Sequence, residues 1–346
     1  MREFKIADIS PEIREKAQHK IDFKTKPLGS LGKLEQLAVQ VSSIQGNLMP
    51  KLQHKRLFVF AADHGVAAEG VSAFPQEVSI QMVQNFLSNG AAINILSAHN
   101  HISLDIVDAG LKAHDIKDKN LIDIKCANGT ENFAKTEAMQ IVQAETIIEN
   151  AYQLFKNKNK KQKIDIIALG EMGIANTTSA TAIISTITGL NVEACTGRGT
   201  GVDDDAFLNK IRVINDALNL HQPDANNGLD ILQKVGGFEI AAMVGMALAA
   251  AENNTLVVLD GFISTAAGLI AYKINPKVAQ YFVSGHRSVE KGHILALDYM
   301  GLVPVLDLDF RLGEGTGAAL TIGLIDAACK IMCNMASFED AGVSNK

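Results

Sequence analysis

Apolar residues along this chain change their period several times. Over 33–45 they fall at Leu34, Leu37, Ala38 and Val41, the spacing of one helix face. The stretch 11–50 reads as helical, interrupted at Leu28-Gly29-Ser30-Leu31-Gly32. Beyond it, short apolar runs alternate with helical patterns. The runs 57–62, 102–107, 164–169, 255–259, 278–283 and 302–306 predict buried strands. The stretches 78–99, 138–155, 175–188 and 237–251 predict the helices between them. This alternation predicts an α/β fold: three α/β/α layers with a parallel, Rossmann-like sheet. The helical stretch 318–336 has no strand after it and is expected to pack with the N-terminal helices. A small helical lobe from both chain termini (1–50 and 318–346) and a large α/β substrate-binding domain (51–317) follow.

Parallel sheets bind ligands beyond the carboxyl ends of their strands. Six predicted strands end in loops rich in glycine and functional groups. These are Asp63-His64-Gly65, Asp108-Ala109-Gly110, Gly170-Glu171-Met172-Gly173, Asp260-Gly261, Ser284-Gly285-His286-Arg287-Ser288 and Arg311-Leu312-Gly313-Glu314-Gly315-Thr316-Gly317. Together they predict an extended ligand crossing one sheet edge. Thr196-Gly197-Arg198-Gly199-Thr200-Gly201 precedes a helical stretch starting near Asp203. Glycine lets backbone N–H groups approach an anion closely, so this loop suits a phosphate monoester at a helix N-terminus. A tight loop capped by Asp203 is the rival reading. Gly313–Gly317 is not a dinucleotide fingerprint, because no strand and no ribose-binding acid follow it. A GxxxxGK[ST] loop is missing, and Asp203-Asp204-Asp205 needs no role beyond capping a helix.

Composition removes other classes. The chain has 346 residues, 47% of them hydrophobic and 20% charged, enough for a sizeable core. A net charge of −6 disfavours a nucleic-acid partner; the absence of Trp and an aromatic content of 5% disfavour base stacking. The apolar stretch 240–251 is short and ends at Glu252-Asn253-Asn254, so no membrane partner is expected. The N-terminus carries no secretory pattern, and Cys126, Cys195, Cys329 and Cys333 form no CxxC pair. They read as buried thiols in a reducing, cytoplasmic protein. The basic run 156–161 reads as a solvated loop.

Several segments, in order from about residue 24 to 335, resemble the signatures of one family. They are Lys26-Pro27-Leu28-Gly29-Ser30-Leu31-Gly32-Lys33-Leu34-Glu35, Ala62-Asp63-His64-Gly65-Val66, Gly170-Glu171-Met172-Gly173-Ile174-Ala175-Asn176-Thr177-Thr178, Lys234-Val235-Gly236-Gly237-Phe238-Glu239, Leu259-Asp260-Gly261-Phe262, Ser288-Val289-Glu290-Lys291-Gly292 and Arg311-Leu312-Gly313-Glu314-Gly315. The chain resembles the nicotinate-nucleotide:dimethylbenzimidazole phosphoribosyltransferases, the CobT family. The resemblance implies transfer of 5-phosphoribose from nicotinate mononucleotide to 5,6-dimethylbenzimidazole or a related base, with no cofactor and no metal, by a homodimer. It implies Glu314 as catalytic base, with Glu171 and Lys210 at the same site. With the glycine loop, it implies a phosphate and ribose site from Gly173, Gly199, Thr200, Gly201, Lys210 and Ser288. The base pocket is expected from Phe74, Pro75, Gln81, Met82 and Phe86, with Leu312.

Plainer readings stand beside these. Asp63 and His64 are adjacent, which suits strand-end hydrogen bonds better than a metal site. His286 and His293 are not expected to ligate a metal, and Glu171 could simply cap the helix after it. Two other classes remain open: a metal-dependent hydrolase using Asp63, His64, Asp260 and His286, and a non-catalytic nucleotide-binding protein. Glu314 is hardest to explain as mere structure, because glycines flank it and nothing there calls for a solvated charge.

Overall fold

The computed structural model describes residues 1–112, 116–199 and 201–344. Six strands form one parallel sheet: β1 (Lys55–Ala62), β2 (Ser103–Gly110), β3 (Leu121–Asp123), β4 (Ile166–Met172), β5 (Leu256–Leu259) and β6 (Phe282–Ser284). Their order is β3-β2-β1-β4-β5-β6. The chain winds outward from β1 to β3, then returns to build the other half from β4 to β6. The direction reverses between β1 and β4, which opens a crevice at their carboxyl ends. Leu57 to Ala62 and Ile166 to Leu169 are fully buried, as strands covered on both faces must be.

The helices are α1 (Pro11–Asp22), α2 (Lys33–Gln45), α3 (Glu77–Leu87), α4 (Ala92–His99), α5 (Ile141–Lys161), α6 (Asn176–Thr188), α7 (Val192–Cys195), α8 (Asp204–His221), α9 (Gly228–Val235), α10 (Phe238–Glu252), α11 (Phe262–Ile274), α12 (Gly292–Tyr299) and α13 (Thr316–Asn334). On one side α10 lies against β1, β2, β4 and β5 and carries α5 and α11. The α10 sequence is apolar around its whole circumference, which is why Phe238 to Ala251 are all buried. On the other side α13 packs on β4, β5, α4 and α2, and α2 carries α1. By length and composition α13 could cross a bilayer, but 56% of that segment is buried inside the protein, as in a core helix. The N-terminal helix α2 packs on the last helix, and that helix is also a layer of the α/β core.

Several expected elements differ. The run 278–283 is a 3-10 helix over Pro276–Tyr281, and only Phe282–Ser284 is strand. Pro276 fits the first helical turn, and the Asn275 side chain caps it by accepting the Lys277 N–H. The run 302–306 is not a ladder strand: Pro304 lacks a donor, and pairing is limited to Val305 on Ser284, Leu306 on Gly285 and Arg287 on Leu306. The stretch 78–99 is two helices, broken where Asn89 turns left-handed (φ 60°) and Asn94 caps Ala91. β3, with three residues, carries too little pattern to be seen in sequence. The basic run 156–161 is the end of α5 and no loop; Lys158, Lys160 and Lys161 suit the negative end of its dipole.

Candidate active site

The Glu314 segment forms a turn of three consecutive left-handed residues: Gly313 (φ 83°), Glu314 (φ 63°) and Gly315 (φ 93°). A left-handed glutamate is strained by about 1–2 kcal/mol, so its surroundings must hold it. Asp260, just past β5, does so. Its Oδ2 accepts the Gly315 N–H at 3.3 Å and its Oδ1 the Ala318 N–H at 2.9 Å, capping α13. The Thr316 hydroxyl donates to Gly313 O at 2.9 Å and closes the turn. The turn rests directly on β4: a methyl carbon on Gly170 would lie 2.3 Å from Glu314 O.

A cleft of about 370 Å³ opens above the carboxyl ends of β4, β5 and β6. Of the residues singled out in the sequence, Glu171, Glu314, Gly173, Gly199, Ser288, Phe74, Met82 and Leu312 line it. Phe74 and Leu312 are 52% and 58% exposed, apolar groups at its wall. Lys210 lies just behind. It is 1% exposed, and its Nζ donates to the hydroxyl of the cleft residue Thr177 at 2.7 Å. Asp260 and His286 line the cleft as well. The remaining phosphate and base candidates are not on the wall. Gln81 and Pro75 face solvent. Phe86 is 1% exposed, because α3 turns that side into the core while Val78 and Met82 face the cleft. Gly201 is exposed beyond the cleft, and Thr200 lies outside the described residues.

Burial raises the carboxyl pKa of both glutamates. Burial pushes the Glu171 carboxyl up to about 8; the Asn176 side chain opposes this, and the carboxylates of Glu239, Asp260 and Glu314 reinforce it. Asn176 Nδ2 donates to Glu171 Oε2, but this is a side-chain bond: Glu171 does not cap the helix start, whose N-cap is Ala175 with no side-chain cap, and it faces the cleft. Burial also raises the Glu314 carboxyl, opposed by the Ile93 backbone N–H and reinforced by Asp260. Glu314 Oε2 is buried and has no hydrogen-bond partner.

Of the candidate metal ligands, Asp63, His64 and Asp260 are bonded to other protein groups, while His286 lines the cleft with its Nδ1 buried and without a hydrogen-bond partner. Asp63 accepts the Lys112 N–H at 2.9 Å. His64 Nε2 lies 2.7 Å from Glu239 Oε1, and both side chains are fully buried. Among the described residues, no group of three or more His, Cys, Asp or Glu could hold a metal ion. His293 holds the Ser288 loop: burial depresses its imidazole to about 3, its Nδ1 accepts the Ser288 N–H at 2.9 Å, and Nε2 lies 3.0 Å from Thr265 Oγ1. Sequence reasoning missed Asp260 as the anchor of the Glu314 turn, and Asn176, Thr177 and Glu290 as cleft residues. All four lie within the family-like segments, but sequence does not show which loop each would reach.

Residues 6–343 match a family model described as phosphoribosyltransferase. The nicotinate-nucleotide–dimethylbenzimidazole phosphoribosyltransferase of Geobacter sulfurreducens is 49% identical over 341 residues, 98% of this chain and 96% of that protein. The protein of the same name from Geotalea uraniireducens is 50% identical over 340 residues, with coverages of 98% and 96%. The crystal structure of CobT from Thermus thermophilus superposes with a TM-score of 0.93 at 40% identity, covering 97% of this chain and all of that one.

Proposed function

The chain belongs to the nicotinate-nucleotide–dimethylbenzimidazole phosphoribosyltransferase family, and from that membership we propose that it moves 5-phosphoribose from nicotinate mononucleotide to 5,6-dimethylbenzimidazole or a related base. The products are nicotinate and α-ribazole 5′-phosphate, the nucleotide of a cobamide lower ligand. The observation that carries the catalytic assignment is Glu314: a buried, strained carboxylate with one free oxygen, in a cleft that also presents Phe74, Met82 and Leu312.

A benzimidazole nitrogen attacks the anomeric carbon with its lone pair. The bond from that carbon to the pyridinium nitrogen breaks, and its electrons leave on nicotinate as a neutral ring nitrogen. The benzimidazole gains positive charge until its other ring N–H passes a proton to Glu314. A positioned base of this kind supplies about 10²–10⁴-fold. Burial raises the basicity of Glu314 and so suits it to accept the proton. Attack opposite the β-linked nicotinate gives the α-riboside by inversion. Glu171, whose carboxyl burial pushes up to about 8, donates a hydrogen bond to the sugar or ring in its protonated form. Gly173, Gly199 and Ser288, with Lys210 behind Thr177, hold the 5′-phosphate.

We also place the enzyme in the cytoplasm as a homodimer. All four cysteines are free thiols, which suits a reducing compartment. Leu28, Phe74 and Leu312, 77%, 52% and 58% exposed, are apolar groups that a second subunit could cover. The test of function is to incubate purified protein with nicotinate mononucleotide and several benzimidazoles and to identify products by mass. No α-ribazole phosphate from any of them overturns the assignment.

A further inference from the structure

The glycine loop at the cleft already holds an anion. Glu290, also on the cleft wall, is 8% exposed, and its Oε1 accepts the Gly199 backbone N–H at 3.0 Å. Its other oxygen, Oε2, is buried without a hydrogen-bond partner. A methyl carbon on Gly197 would lie 1.6 Å from Oε2, so this seat exists only because residue 197 is glycine. Lys210 borders the same loop: its Nζ would be 3.3 Å from a methyl carbon on Gly199. Its ammonium is depressed to about 8 by burial, and Glu290 is the charge that opposes the depression. A glycine-loop N–H beside a buried lysine is a donor set suited to a phosphate oxygen.

We propose that Glu290 is a resident stand-in for the 5′-phosphate, seated in the Gly197–Gly199 loop of the free enzyme and displaced when the nucleotide binds. The inference rests on the phosphoribosyl-transfer reading above. A phosphate that takes the Gly199 N–H must enter the position of Glu290 Oε1. Two anions so close in a partly dry site repel strongly. The carboxylate is the weaker tenant, because one of its oxygens has no partner and regains water on leaving. The exchange keeps the Gly199 N–H paired and gives Lys210 a dianion in place of a monoanion. The Glu290 backbone N–H donates to Ser288 Oγ at 3.3 Å, so the chain is tethered there while the side chain swings. The carboxylate satisfies the Gly199 N–H between turnovers, and its return competes with product phosphate and speeds release.

Glu290→Gln tests this directly. It retains an acceptor oxygen for the Gly199 N–H, removes the charge and puts an NH2 in place of the other oxygen; Glu290→Ala controls for that new donor. Wild type and variant are titrated by calorimetry with inorganic phosphate, nicotinate mononucleotide and nicotinate riboside, which lacks the phosphate. The expected result is about three- to tenfold tighter binding of phosphate and mononucleotide to the variant, the scale of one close charge–charge interaction in a partly solvated site. The riboside should bind both proteins equally. Glu290→Ala should shift phosphate affinity in the same direction. If wild type binds the mononucleotide but Glu290→Gln binds it equally or more weakly, Glu290 is a fixed brace and the inference is wrong. Equal tightening for the riboside also overturns it. If wild type neither binds nor converts the mononucleotide, the functional reading itself fails and takes this inference with it.

Discussion

Gly313 stands against the Glu171 carboxylate at a separation that admits no side chain: a methyl carbon on it would lie 2.3 Å from Oε1. Gly313 also adopts φ 83°, where any other residue is strained. The residue preceding the proposed base thus touches the second glutamate, and the two acids are placed by one turn. Gly313→Ala should destabilise the protein by about 1–3 kcal/mol. By shifting both carboxylates it should also lower kcat by about tenfold or more. Denaturant melts and steady-state rates check this; unchanged kcat would separate the turn from catalysis.

The alternation of apolar runs and helical periods was enough to read the parallel α/β fold, because β1 and β4 are buried on both faces and their signal is continuous. It failed where pattern was short or local chemistry overrode it: the short strand β3, the Pro276 turn and Pro304 in the run 302–306. The cleft was legible through its glycine-flanked acids, since Gly313-Glu314-Gly315 encodes an unusual backbone directly. The partners across the fold were not. His64 faces Glu239, Asp260 anchors the Glu314 turn, and Glu290 sits in a loop 91 residues earlier. Each pairing depends on which strand ends lie side by side. The choice of Phe86 failed for a simpler reason: on α3, the face that meets the core and the face that meets the cleft both carry apolar residues.

Lys210 should matter for the mononucleotide more than for chemistry. It is buried, bonded to Thr177 and close to Gly199. Lys210→Met keeps the apolar stem and removes the ammonium. The expected outcome is a KM for nicotinate mononucleotide raised by about tenfold or more, with a smaller change in kcat. Affinity for nicotinate riboside should be unaffected. A large kcat loss at unchanged KM would assign Lys210 to the transition state.

The His64–Glu239 pair lies behind Gly173, fully buried, and Glu239 Oε2 has no other partner. Removing the imidazole leaves a carboxylate buried alone. His64→Ala should therefore cost about 3–5 kcal/mol of stability, seen as a lowered denaturant midpoint. His64→Gln, which keeps a donor, should cost clearly less. Equal losses from both would show that packing, and not the hydrogen bond, sets the cost.

The last expectation joins Glu314 and Glu171 through pH. Glu314 must be ionised to take the benzimidazole proton, so kcat falls as pH drops through its raised pKa. Glu171 must be protonated to donate, so kcat falls as pH rises through about 8. The kcat profile should be bell-shaped, with apparent values belonging to the coupled pair. Lys210, depressed to about 8, titrates in the same alkaline range in the free enzyme, so the profile is taken at saturating nucleotide. Glu314→Gln cannot accept the proton and should lower kcat by about two orders of magnitude with little change in nucleotide KM. Glu171→Gln is permanently neutral and remains a donor; it should keep most of the activity and lose the alkaline limb. Stability provides an independent check. The folded state holds the Glu171 proton up to about 8, whereas an ordinary glutamate releases it near 4.5. Between those values the folded state binds more protons, so stability of the unliganded protein should fall as pH rises, and Glu171→Gln should flatten that slope. An alkaline limb that survives in Glu171→Gln would make another group its source. Near-normal kcat in Glu314→Gln would remove Glu314 from the mechanism and leave Glu171 as the candidate base.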